Sequence, residues 1–453
     1  MKKTCLTIAI AQLNLLVADV KGNTEKIINN IKKAREEFKA DIIIFSELTI
    51  SGYALDDYFY HDILYENVEQ SLIAIKQHAY DIDVIIGAPK KINDKLFNAA
   101  YYIKQKEIIA KYHKQKLPNN EVFNEKRYFT ADTETILITC KEVKIALLIC
   151  EDIWQQQPIK NAKQANADLV LVLNASPFYI NKDHIRIKLL QQQAKMTQLP
   201  IVYVNQIGIA DELVFDGNSF AVNKFGVVCQ HLKSFQTDLA CVKYKNNDLI
   251  ISKNQCITNK NEIATIYQCL LFATKNYLLH NDIKKVIVGF SGGIDSALIL
   301  AILSDILAKE NIITVFLPSK YTSELSYKCV AEQCNLLDLN YKTIKIDNLV
   351  NNYLNLYQDF SVDNARSKQL TEQNIQSRIR SNLLLSLANL QQALVINTSN
   401  KSENAVGYVT LGGDLCGGFS ILKDIYKTMI YKLAKYRNSL SYAIPQKIID
   451  RLP

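Results

Sequence analysis

Apolar residues along this chain follow two rhythms. Short apolar runs at 41–45, 83–87, 145–149, 169–173 and 201–204 read as strands. Between several of them, residues 23–39 and 186–197 read as helices, so the first half predicts a layered α/β domain. From 238 to 261 the chain turns polar, with Lys243-Tyr244-Lys245-Asn246-Asn247-Asp248 and Lys253-Asn254-Gln255, and predicts an irregular stretch closing that domain. The expected boundary separates residues 1–258 from 259–453. Beyond it come a helix at 262–279, a strand at 285–290, a helix from 297, a strand at 312–317 and a helix at 323–334. This βαβ alternation predicts a doubly wound parallel sheet whose ligand lies beyond the carboxyl ends of the strands.

Composition narrows the picture in a few places. A length of 453 residues exceeds one ordinary domain, and 48% apolar residues suffice for more than one core. The net charge of +8 is a modest excess that suits anionic small molecules. No block of like charge or basic helix with interleaved aromatics argues for nucleic acid. The basic start Met1-Lys2-Lys3 precedes an apolar run that alternates like a strand and is interrupted by Gln12 and Asn14, without a small-residue cleavage site. No apolar stretch approaches membrane-spanning length, so a cytoplasmic protein without a membrane partner is expected. The ten cysteines are scattered, and Cys329 and Cys334 have neither redox nor zinc-ligand spacing.

Chemistry concentrates first at 286–296, where Val286-Ile287-Val288 runs through Gly289 and Phe290 into Ser291-Gly292-Gly293-Ile294-Asp295-Ser296. An apolar strand emptying through serine and glycine into a helix makes a phosphate cradle: glycines let the backbone approach an anion, and the first helical N–H groups point at it. Asp295 suits a divalent cation. The Gly-Lys-Ser/Thr ending of a Walker A loop is missing, so the cradle is expected to hold departing pyrophosphate.

In the first half, Glu47 follows the apolar run 42–45, Lys114 lies in Tyr112-His113-Lys114-Gln115-Lys116, and Cys150 ends the run 146–149. A lone cysteine there is ordinary core, and a lone Glu or Lys ordinary surface. Together they supply what amide cleavage needs: a nucleophile, a base for its proton, and a cation where the oxyanion forms.

These segments resemble known families. Ser291–Ser296 resembles the nucleotide signature of the ATP pyrophosphatases, which cleave ATP between its α- and β-phosphates. Glu47, Lys114 and Cys150, with Glu125 orienting the lysine, resemble the nitrilase amidases. The runs 374–380 and 398–408, with Gly413-Asp414 and Lys423-Asp424, are similar to NAD synthetases, and the whole chain resembles their glutamine-dependent members. That resemblance implies a nitrilase-like α/β/β/α sandwich followed by an ATP-pyrophosphatase domain. It implies a Cys150 attack on glutamine, with Glu47 as base and Lys114 at the oxyanion, and glutamine contacts from Asn120, Glu151, Ser176 and Lys182. It further implies ATP bound by Gly289, Phe290, Ser291, Gly292, Gly293, Ile294, Asp295, Ser296 and Thr398, and deamido-NAD by Asn374 and Glu403, with Mg2+ on Asp295 and Glu403. The carboxylate of deamido-NAD would be adenylated, and ammonia passing through a shielded channel would displace AMP. Assembly as a dimer or larger homo-oligomer is implied as well. His113 is read as structural. Departures from the family pattern stand at Asn120, Gln373, Ser381 and Gly412. The sequence stops at Arg451-Leu452-Pro453, where relatives continue, so glutaminase activity is expected to be better retained than synthetase activity. Two alternatives remain open at this level: a folded but synthetase-impaired homologue, and another glutamine amidotransferase built on the same cradle.

Overall fold

The isoleucines of Ile42–Ile44 explain why this strand is apolar without alternation. Ile42 and Ile44 enter one core and Ile43 another, so both faces are covered. The computed structural model, which describes residues 5–120, 122–252, 261–360 and 364–451, divides into two compact units, Met1–Asn259 and Lys260–Pro453. The expected 258/259 boundary itself lies outside the described residues.

In the first unit a seven-stranded sheet runs Asp248–Ile250, Asp238–Lys245, Cys5–Gln12, Ile42–Ile44, Asp83–Ile92, Lys95–Lys104, Glu107–His113. A six-stranded sheet runs Val228–His231, Phe220–Val222, Ile201–Asn205, Leu169–Asn174, Val143–Ile149, Leu137–Cys140. Ile8, Ile10 and Ile85 of the first sheet share a core with Leu147, Leu171 and Val202 of the second, so the sheets pack face to face. Outside the first sheet, Ala9, Val84 and Ile86 meet Ile27 and Ile31 of the helix Val20–Glu36 and Leu64 and Leu72 of Asp62–Lys76. Helices Gln156–Gln164 and Lys182–Thr197 add Ile159, Leu190 and Ala194 on the second sheet. The result is the α/β/β/α sandwich of the nitrilase fold.

The expected irregular stretch after 238 is corrected. Asp238–Lys245 is a strand, antiparallel to Cys5–Gln12 in unbroken register from Gln12 opposite Asp238 to Cys5 opposite Lys245. Its lysines hide a period of two: Val242 and Tyr244 are buried while Lys243 and Lys245 are exposed. Helix starts also lie earlier than expected. Asp19 caps Val20–Glu36 by accepting the Gly22 amide at 2.9 Å, and the second helix begins at Lys182.

The second unit is a five-stranded, wholly parallel sheet ordered Tyr341–Thr343, Ile312–Phe316, Val286–Gly289, Leu394–Asn397, Phe419–Ser420. Val286 and Val288 face the helices Ile294–Ser304 and Lys427–Leu440, while Ile287 faces Ala365–Gln391. The chain leaves Val286–Gly289 for a neighbour on one side and returns on the other at Leu394–Asn397. The carboxyl end of this strand is therefore the switch point of a doubly wound sheet. Among the described residues no helix is long and apolar enough to cross a membrane.

Candidate active sites

In the first unit Cys150 sits where the strand Val143–Ile149 turns into the short helix Glu151–Trp154, with φ +44°, a backbone that few non-glycine residues adopt. Its amide donates to the Leu173 carbonyl at 2.9 Å. Burial and the Glu47 carboxylate push the thiol well above its ordinary pKa, and Lys114 opposes them. Glu47 stands just past Ile42–Ile44, fully buried. Its Oε1 accepts from Lys114 Nζ at 2.7 Å and Asn98 Nδ2 at 2.8 Å, and its Oε2 from the Ala175 amide at 2.9 Å. Lys114 Nζ donates equally to Glu125 Oε1 at 2.7 Å, an oxygen that also accepts from Tyr53 OH at 2.9 Å.

A buried ammonium survives only when paired. Burial alone would lower the Lys114 pKa, but Glu125 and Glu47 reverse this and hold it well above the ordinary lysine value. Burial pushes Glu125 up to about 7 against the pull of Lys114. The cluster is thus a fixed cation clamped by two carboxylates next to a thiol, with Glu47 offering a proton acceptor. His113, expected to be structural, pairs Nδ1 with Asp132 at 2.9 Å and stacks on Phe97.

The residues expected around glutamine are placed unevenly. Ser176 is buried next to Ala175, with its hydroxyl 3.1 Å from Arg186 Nε and its amide donating to Asn205 Oδ1 at 2.8 Å. Lys182 Nζ lies 4.3 Å from the Trp154 ring centroid and 4.5 Å from that of Tyr179, a cation–π arrangement. Glu151 is half-buried and accepts from Gln155 at 3.2 Å. Asn120 is exposed, its carbonyl accepting the Phe123 amide at 3.0 Å. Sequence reasoning missed Asn98, Tyr53, Asp152 and Arg186. Asn98 and Tyr53 lie 51 and 72 residues from the carboxylates they serve, so no local pattern marks them.

In the second unit the strand Val286–Gly289 empties into Ser291-Gly292-Gly293, and the helix begins at Ile294, earlier than the expected 297. Asp295 and Ser296 therefore occupy its first turn. Gly292 has φ +76°, and a Cβ there would lie 3.0 Å from the Ser326 carbonyl oxygen. Ser291 Oγ accepts the Gly293 amide at 3.2 Å and lies 3.2 Å from Ser296 Oγ. Of the residues expected at the nucleotide, Gly289, Phe290, Ser291, Gly293, Ile294, Asp295 and Thr398 line a cavity of about 600 Å3, and Gly292 and Ser296 do not.

Lys427, also missed in the sequence, reaches this cavity from the start of Lys427–Leu440. It pairs with Asp295 Oδ2 and lies 3.9 Å from Glu403 Oε1. Asp295 Oδ1 accepts from Asn400 Nδ2 at 2.8 Å, and Asn400 forms a reciprocal capping box with Glu403. Burial and the charge of Asp295 raise the Glu403 pKa. Two carboxylates that sense each other's charge fit a hard cation that keeps waters and takes phosphate oxygens as its remaining ligands. Among the described residues no cluster of three or more His, Cys, Asp or Glu side chains forms a metal cage by itself. Asn374 accepts from Thr410 Oγ1 at 2.9 Å. Two departures noted in the sequence touch each other: the Ser381 hydroxyl is 2.6 Å from the carbonyl oxygen of Gly412, whose φ is +69°.

Comparison with known proteins covers both units. The carbon-nitrogen hydrolase family model matches residues 7–249, and the NAD synthase model matches residues 266–453. The chain is 36% identical to a glutamine-dependent NAD(+) synthetase of Acinetobacter baylyi, over 98% of this chain and 82% of the relative. It is 38% identical to that of Xanthomonas campestris pv. campestris, over 99% of this chain and 82% of the relative. Among solved structures, glutamine-dependent NAD+ synthetase from Acinetobacter baumannii in complex with adenosine diphosphate matches with a TM-score of 0.94 at 36% identity, covering 99% of this chain and 85% of that one.

Proposed function

The chain belongs to the glutamine-dependent NAD(+) synthetases, and from that premise we propose how its residues divide the work. The enzyme is a carbon-nitrogen ligase that uses ATP to amidate deamido-NAD to NAD, with glutamine as nitrogen donor.

In the first unit Cys150 is the nucleophile toward the glutamine side-chain amide. Glu47 takes its proton, and Lys114 stabilises the oxyanion of the tetrahedral intermediates before and after the thioester. The clamp of Lys114 by Glu47 and Glu125, both at 2.7 Å, supports these roles best, because it fixes a buried cation beside the thiol before substrate arrives. Glu125 keeps the lysine charged and oriented. Ser176, Lys182, Glu151 and Asn120 are assigned to glutamine recognition.

In the second unit the turn from Gly289 to Ser296, with Thr398, is the ATP site. Its backbone amides and hydroxyls receive the pyrophosphate that departs when the deamido-NAD carboxylate attacks the α-phosphate. Asn374 and Glu403 contact deamido-NAD. Asp295 and Glu403 would hold Mg2+, which when bound supplies charge neutralisation at the phosphates. Lys427, paired with Asp295 and lining the same cavity, supplies a second positive group toward the nucleotide. A cytoplasmic location and assembly as a dimer or larger belong to the same reading and rest on the family resemblance.

Incubation with ATP, Mg2+ and deamido-NAD, with either glutamine or ammonium, should yield NAD and AMP in equal amounts. AMP formation independent of deamido-NAD would overturn the assignment.

A further inference from the structure

The residues on either side of Lys114 and Cys150 converge on one carboxylate to which the reading above gives no role. Asp152 is fully buried. Its Oδ1 accepts the amides of Gln115 at 3.0 Å and Lys116 at 2.7 Å, the two residues that follow Lys114. Its Oδ2 accepts the Ile149 amide at 3.0 Å and the Tyr112 hydroxyl at 2.7 Å. Ile149 immediately precedes Cys150, and Tyr112 lies two residues before Lys114, at the end of the strand Glu107–His113.

We propose that Asp152 is a positioning residue for glutamine cleavage: it ties the loop carrying Lys114 to the turn carrying Cys150 and so sets the relation between ammonium and thiol. The proposal rests on the assignment of those two groups above. The bond to Ile149 closes the turn around Cys150, whose φ of +44° needs such a tie, and the bonds to Gln115 and Lys116 hold the segment just past Lys114, whose own amide donates to the Asn98 carbonyl at 2.9 Å. All four partners donate, so the side chain must accept at both oxygens, and the ionised carboxylate suits this geometry. Burial pushes its pKa up to about 6, so it remains ionised at neutral pH.

The test is Asp152→Asn. The amide oxygen still accepts from Gln115 and Lys116, while its NH2 group faces the Ile149 N–H and cannot accept it. The same NH2 group replaces the oxygen that accepts the Tyr112 hydroxyl, so both bonds at Oδ2 are altered while those to Gln115 and Lys116 are kept. A misplacement on the order of 1 Å is enough to lower kcat for glutamine by about 10²-fold, with KM nearly unchanged. The thiol faces the carboxylates of Glu47, Glu125 and Glu151 and the cations Lys114 and Arg186, so separating Cys150 from Lys114 removes part of the positive charge that opposes the carboxylates. Iodoacetamide alkylation of Cys150 should then move to higher pH. A purely structural role would lower the melting temperature while leaving kcat per folded molecule and the alkylation profile as in the wild type, and that result would overturn the proposal. If Asp152→Asn does not fold, Tyr112→Phe removes only one donor to Oδ2. It should lower kcat several-fold with the same direction of alkylation shift, and wild-type values of both would equally overturn the proposal.

Discussion

Lys114 is a charged side chain 1% exposed, and the two carboxylates that keep it charged also aim it. Residues tied this closely act as one unit on the chemistry of Cys150, so single losses should not add. Cys150→Ala is expected to abolish NAD formation from glutamine while ammonium-driven formation stays largely intact. Equal loss with both donors would refute a separate glutaminase site. Glu125 carries a pH consequence. Its pKa in the folded protein is raised to about 7, above the ordinary carboxyl value of 4.5, so between those values the folded state holds the proton more tightly than the unfolded. Its contribution to stability is therefore complete at low pH and is lost as pH rises through about 7. Glu125→Gln removes this titration, so its stability relative to the wild type should improve from pH 5 to pH 8. Urea midpoints of both proteins at the two pH values measure it, and a shift in the opposite direction would contradict the assigned cause.

At the scale of elements, a strand followed by a turn of special backbone carries each site. Val143–Ile149 delivers Cys150 at φ +44°, and Val286–Gly289 delivers Gly292 at φ +76°. The two turns differ in what holds them. Asp152 ties the first by its side chain, while the second depends on glycine. Gly292→Ala puts a methyl group 3.0 Å from the Ser326 carbonyl in a left-handed backbone, at a cost of about 1–2 kcal/mol. Displacement of the turn should raise KM for ATP about tenfold, with glutamine hydrolysis less affected, as read by steady-state kinetics at saturating deamido-NAD. An unchanged KM would remove this turn from the phosphate site.

At the scale of the whole molecule, two units with separate cores contribute two steps of one reaction. On the proposed division of roles the dependence between them runs one way, because added ammonium would replace glutamine whereas nothing would replace adenylation. Asp295→Ala should therefore lose NAD formation with glutamine and with ammonium alike, and pyrophosphate release should fall in parallel. Adenylation of deamido-NAD at the wild-type rate would reduce Asp295 to a residue at the start of a helix.

The layered α/β class, the parallel second sheet and the motifs around Glu47, Lys114, Cys150 and Ser291–Ser296 were legible in the sequence. Apolar period and turn chemistry are local properties, and each motif is a short run at the end of an apolar strand. The strand Asp238–Lys245 was not legible, because lysines at its exposed positions masked the alternation of Val242 and Tyr244. Nor were the partners that complete the sites. Asn98 meets Glu47, Asp152 meets Lys116, and Lys427 meets Asp295 across 51, 36 and 132 residues of chain. Sequence spacing says which face of an element a side chain occupies. Only the order of strands in the sheets and the packing of layers decides which distant side chain stands opposite it.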